Sequence, residues 1–168
     1  MNIVLTGMRG SGKSYYAKQL AKFLEWKLID TDNIIKTREN ASITEIVQQK
    51  GWKHFRDLER KIVEEVGQLD EHIISTGGGM IIDRENEQTL RKNGKIIFLY
   101  RTIEKCTQFI ENGHNKDRPA LTNNQSILEE LTEIWEKREK RYRESADLII
   151  DVDTETTPEE ILDKIQEL

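Results

Sequence analysis

A three-layer α/β fold, with a central parallel sheet of about five strands and helices on both of its faces, follows from three features of the sequence. Short apolar runs alternate with segments of helical period along the whole chain. The first run leads into Gly7-Met-Arg-Gly-Ser-Gly-Lys-Ser14, and that pattern leads straight into a helix. The second run closes on Asp30-Thr31-Asp32, two acids at the carboxyl end of a strand, which is the edge where open α/β sheets bind ligands.

Each element has its own signal. Ile3 to Thr6 is nearly continuous in apolar side chains, as a strand buried on both faces requires. Tyr16, Ala17, Leu20, Ala21 and Phe23 then give residues 13 to 24 one apolar helix face. Trp26 to Ile29 is the second strand. From Asn33 to about Leu69 the pattern is helical but subdivided. Ser42 and Glu45 form a capping box there, and Gly51 interrupts before Phe55, Leu58, Ile62 and Val66 resume the period. Arg56 and Glu59, three residues apart on this segment, are close enough to touch.

His72 to Thr76 is a third strand, followed by Gly77-Gly78-Gly79. Three glycines in a row read either as a tight turn or as bare backbone that a ligand approaches closely. Asp83 to Asn93 is a short helix closed by Gly94, Lys95 to Tyr100 is a fourth strand, and Thr102 caps a helix reaching about Ile110. Residues 111 to 124 are polar and rich in breakers, a loop of the length of a lid, and carry Arg118 beside Pro119. The helix from Ser126 to about Arg143 places Ile127, Leu131, Ile134 and Tyr142 on one stripe, with Arg138 among them. A guanidinium on a core stripe calls for an internal carboxylate or for an anionic ligand. Ala146 to Asp151 is a fifth strand, and Thr157-Pro158-Glu159-Glu160 opens the last helix.

Composition narrows the class further. A chain of 168 residues is expected to form one domain spanning 1–168, with a core large enough to need no disulfide or metal staple. With 26 basic against 31 acidic residues the net charge is −5, which leaves no broad positive surface for nucleic acid. The lone Cys106 and a first strand without a charged-then-apolar leader point to the cytoplasm. No apolar run approaches membrane-spanning length. His54, His72 and His114 lack ligand spacing, so no zinc site is expected, and Cys106 sits mid-helix as an inert packed thiol.

The chemistry lies in the pattern at 7–14. Its glycines let successive backbone N–H groups face a polyphosphate, Lys13 reaches the terminal phosphates, and the Ser14 hydroxyl ligates Mg²⁺. The following helix aims its positive end at the same anion. Gly10, Ser11, Gly12, Lys13, Ser14 and Tyr15 are the candidate nucleotide-binding residues, the plain alternative being a glycine-rich turn that binds nothing. The third strand lacks the terminal aspartate that helps hold the metal in many phosphate-loop enzymes. Asp30 and Asp32 are therefore the natural carboxylates for that role.

Taken in order, GMRGSGKS at 7–14, DTD at 30–32, FRDLE at 55–59, TGGG at 76–79, RPAL at 118–121 and KREKRYRESADLIID at 137–151 resemble the shikimate kinase family over essentially the whole chain. The resemblance implies a P-loop NTPase fold of the nucleoside-monophosphate-kinase type, with the helical insertion at about 33–69 receiving the acceptor. It implies transfer of the γ-phosphoryl of ATP to the 3-hydroxyl of shikimate, a step toward aromatic amino acids, with Mg²⁺ as cofactor; a monomer is the expectation, although sequence does not reveal oligomeric state. By the same resemblance Lys13 bridges the β- and γ-phosphates, Ser14 ligates Mg²⁺, Asp30 reaches the metal through water, and Asp32 is the base toward the attacking hydroxyl. Arg56 and Arg138 clamp the acceptor carboxylate, the backbone of Gly77, Gly78 and Gly79 contacts the acceptor, and Arg118 closes from the lid onto the transferring phosphate.

Four positions depart from the family pattern. Trp52 stands where an acidic residue usually follows the glycine before FR. Val47 and Ala120 replace bulkier apolar groups that often line the pocket, and Glu111 stands where an arginine commonly lies against adenine. Two other readings remain beside the first: a kinase for another small polyhydroxy acid such as quinate or gluconate, and a nucleotide-binding module without catalysis. The latter would be expected to lack Asp32 or one clamp arginine.

Overall fold

The computed structural model describes residues 1–113, 120–123, 126–154 and 157–168. Strands β1 (Asn2–Thr6), β2 (Lys27–Asp30), β3 (His72–Ser75), β4 (Gly94–Tyr100) and β5 (Leu148–Asp151) form one sheet in the order β2-β3-β1-β4-β5, with every pairing parallel. The helices among the described residues are α1 (Lys13–Leu24), α2 (Thr31–Glu39), α3 (Ile43–Val66), α4 (Arg84–Arg91), α5 (Ile103–Glu111), α6 (Ile127–Glu144) and α7 (Pro158–Gln166).

Strand period explains the layers. Side chains alternate across a strand, so Ile3 and Leu5 of β1 face one core and Val4 faces the other, all three buried. In β4, Ile97 and Leu99 join the first core, whereas Ile96 and Phe98 join the second. Leu20 of α1 and Ile161 of α7 cover the first; Phe55 of α3, Ile110 of α5 and Leu131 of α6 cover the second. This is the three-layer α/β arrangement expected from the sequence. Because β1 lies between β3 and β4, the connections leaving β1 and β3 meet at the carboxyl edge of the sheet, where such folds place their ligands.

Several boundaries differ from the sequence expectation: β2 and β5 begin at Lys27 and Leu148, and α4 ends at Arg91. Asp30 ends β2 and also caps α2, its Oδ1 accepting the Asn33 N–H at 3.0 Å, so Thr31 and Asp32 belong to the first turn of a helix. Gly94 begins β4 instead of closing α4, because a Cβ there would stand 2.9 Å from the Leu90 carbonyl oxygen. Thr102 holds the cap position of α5 without a side-chain capping bond, and its N–H donates to Asp153 Oδ2 at 2.7 Å. The capping boxes Ser42/Glu45 and Thr157/Glu160 both form, and Gly51, at φ 82°, breaks the helical dihedrals within α3.

The lid expected at 111–124 falls largely outside the described residues, and Arg118 with it. No helix among the described residues is long and apolar enough to cross a membrane. Cys106 is fully buried, and burial pushes its thiol up to about 11. A thiol-reactive disulfide at about pH 8 is therefore expected to leave the native protein unlabelled and to titrate one thiol per chain after denaturation. Rapid labelling of the native protein would contradict that packing.

Candidate active site

The connection from β1 to α1 is a loop that only glycine accommodates at two points. Gly10 and Gly12 lie at φ 84° and 90°, where a Cβ is disfavoured. Gly10 also abuts α5, since a Cβ would stand 2.7 Å from the Cys106 carbonyl oxygen. Arg101 braces the loop from behind, donating from Nη1 to the Gly10 carbonyl at 3.1 Å. Lys13 Nζ donates to the carbonyls of Gly7 and Met8 at 2.9 and 2.8 Å, which curls the side chain along the loop. Helix α1 begins on Gly12 with no side-chain cap and no acid in its first turn, so the positive end of its dipole is uncompensated.

A cavity of about 590 Å³ opens over this loop. Gly10, Gly12, Lys13, Ser14 and Tyr15 line it from the loop side, Asp30 and Asp32 from the start of α2, and Thr76 and Gly78 from beyond β3. Ser11 does not line it; the residue is fully buried and its N–H donates to the Met8 carbonyl at 3.2 Å. Ser14, Asp30 and Asp32 thus face one space. Among the described residues no group of three His, Cys, Asp or Glu could cage a metal. A hydroxyl and two acids instead suit Mg²⁺, which keeps several waters and takes its remaining oxygens from phosphate.

A second recess, of about 30 Å³, shares Arg9, Ile43 and Gly78 with the first cavity. Arg56 of α3 and Arg138 of α6 both line it. Arg56 is fixed on several sides: Nη1 donates to Glu59 Oε2 at 2.5 Å, and the Trp52 ring lies 5.3 Å from its guanidinium carbon. Glu59 is 1% exposed. Burial raises its carboxyl above the ordinary range, with Arg56 pulling the other way. Arg138 differs, because among the described residues it makes no hydrogen bond or ion pair, and Glu59, which it influences through space, is bonded to Arg56. Among the described residues no carboxylate is bonded to it, and Glu59 acts on it only through space.

The triple glycine serves neighbouring side chains as much as any ligand. A Cβ on Gly77 would stand 2.8 Å from Asp32 Oδ1, and one on Gly79 would stand 2.5 Å from Arg56 Nη1. Gly78 and Gly79 line the recess; Gly77 lines neither space, and its N–H donates to Thr31 Oγ1 at 3.2 Å. The Gly77 N–H is therefore already engaged within the protein. Gly79→Ala meets the far end of a flexible side chain, so the fold should survive while Arg56 is displaced. The expected result is an acceptor KM raised about ten- to a hundredfold, with ATP KM nearly unchanged and a melting temperature lowered to the extent that Arg56 parts from buried Glu59; an unchanged acceptor KM would refute the wedge.

Of the departing residues, Trp52 lines the recess, Val47 and Ala120 do not, and Glu111 is exposed at the end of α5. Sequence reasoning missed Phe109 on the first cavity and Glu130 on the recess. Glu130 had a legible signal: it lies three residues after Ile127 and four before Ile134, on the inward stripe of α6.

Comparison with known proteins agrees with this geometry. The family model described as shikimate kinase matches residues 9–168. Shikimate kinase 2 of Photorhabdus laumondii is 37% identical over 167 residues, covering 99% of this chain and 94% of its own length. The shikimate kinase of Sulfurihydrogenibium sp. is 36% identical over 168 residues, covering 98% of each. Among solved structures, a shikimate kinase from Acinetobacter baumannii in complex with shikimate superposes with a TM-score of 0.89 at 28% identity, over 99% of this chain and 93% of that one. A gluconokinase from Sinorhizobium meliloti reaches only 0.53 at 18% identity, which shows a shared fold. The chain belongs to the shikimate kinase family.

Proposed function

We propose that this protein transfers the γ-phosphoryl group of ATP to the 3-hydroxyl of shikimate. The observation that carries the reading is the meeting of Arg56 and Arg138 on a recess that shares a wall with the phosphate-loop cavity. Two guanidinium forks suit one carboxylate, and an acid held there turns its ring hydroxyls toward Asp32 and the nucleotide.

In this reading the loop amides and Lys13 neutralise the β- and γ-phosphates. Asp32 orients the acceptor hydroxyl and takes its proton late, because a loose transition state asks for little base strength. Ser14 holds Mg²⁺ directly and Asp30 through water. Held there, Mg²⁺ would supply positive charge against the phosphates of the nucleotide. Gly78 and Gly79 border the acceptor, and Arg118 closes on the transferring group. The recess, about 30 Å³, adjoins the cavity of about 590 Å³ along Arg9, Ile43 and Gly78, so an acceptor whose carboxylate points into the recess has room for its ring in the larger space. The reading is completed by one kinase domain spanning 1–168 that acts as a monomer in the cytoplasm; the lone Cys106 suits a reducing compartment, and the net charge of −5 suits an enzyme without a nucleic-acid partner.

The test is ADP release from Mg·ATP with shikimate, quinate and gluconate compared side by side. Shikimate should exceed the others in kcat/KM by about a hundredfold or more, since a site built around particular hydroxyls rejects analogues that misplace them. No release with shikimate would end the proposal.

A further inference from the structure

We infer that Glu130 makes the acceptor recess selective for acids that carry a single negative charge, an inference that rests on the acceptor reading above. An acid is an unexpected wall for a pocket that receives an anion. Glu130 is nevertheless 7% exposed and lines the recess together with Arg9, Arg56 and Arg138. It cannot swing away easily, because its Oε1 accepts the Leu121 N–H at 2.9 Å. Across the recess its charge acts on Arg9, opposing the burial that lowers the pKa of that guanidinium.

The charges set what fits. Glu59 is bonded to Arg56 from behind, Glu130 acts on Arg9 through space, and Arg138 has no carboxylate bonded to it among the described residues. Of these five side chains three are cationic and two anionic, which leaves one positive charge for the acceptor. A monocarboxylate completes the balance, whereas a second carboxylate on the same ring adds a negative charge to a partly buried recess that Glu130 also lines, where like charges repel. Glu130 therefore acts as a specificity residue by excluding dianions, without touching the transferred group.

The experiment is calorimetric binding of cyclohexanecarboxylate and of cyclohexane-1,3-dicarboxylate to the wild-type protein, Glu130→Gln and Glu130→Asp. The glutamine keeps an oxygen for the Leu121 N–H, and melting curves check that each variant folds. Wild type should prefer the monoacid by about tenfold or more; Glu130→Gln should erase most of that preference, and Glu130→Asp, which keeps the charge, should retain it. An unchanged preference in Glu130→Gln would overturn the inference, as would a wild-type protein that binds neither acid. Because binding is read without turnover, failure of the kinase reading appears separately, as absence of ADP release with shikimate.

Discussion

Asp32→Asn is expected to lower kcat by about 10²- to 10⁴-fold while leaving the KM for ATP within about twofold. The substitution preserves shape in a tight place, since Asp32 sits in the first turn of α2 with its carboxylate against the bare backbone of Gly77. What it removes is charge and the capacity to take a proton. Nucleotide contacts come from a different element, the loop and the start of α1, so ATP affinity has no reason to follow. A variant that keeps full kcat, or that loses ATP affinity in proportion, would show that Asp32 serves the metal or the fold and not the acceptor hydroxyl.

Arg138→Ala should raise the KM for shikimate about thirty- to a thousandfold, the range expected when one partner of a buried, hydrogen-bonded charge pair is removed. Stability should barely change, because no hydrogen bond or ion pair to Arg138 is lost among the described residues. Arg138→Lys should rescue little, since an ammonium cannot replace a planar fork. The contrast with Arg56 is instructive. Arg56 is bonded to a Glu59 that is itself 1% exposed, so its truncation strands a buried acid and costs stability as well as affinity. Steady-state kinetics beside thermal melts separate the two arginines. An Arg138→Ala protein with raised KM for ATP alone would contradict the clamp.

The sheet was legible because burial on both faces leaves continuous apolar runs in β1 and β4, and the phosphate loop because its fixed residues each have a backbone or charge requirement. Arg138 was legible through helix period. Boundaries were harder. The run Asp30-Thr31-Asp32 reads as a strand end until Asp30 is seen to cap the next helix, a competition between strand and cap that local sequence leaves open. Gly94 looked like a helix stop, yet its lack of a side chain answers to crowding by Leu90 and Val4, contacts that exist only once the sheet is assembled. Glu130 had the helix period in its favour but was obscured by its type, since acids on a helix are usually solvated; its partner, the Leu121 N–H, comes from outside the helix.

The most direct test is a crystal structure of the protein with shikimate and Mg·ADP bound together. The carboxylate should lie between the guanidinium groups of Arg56 and Arg138, with the 3-hydroxyl within hydrogen-bonding reach of Asp32. A shikimate seated elsewhere, or with its carboxylate turned away from both arginines, would contradict the account at its root.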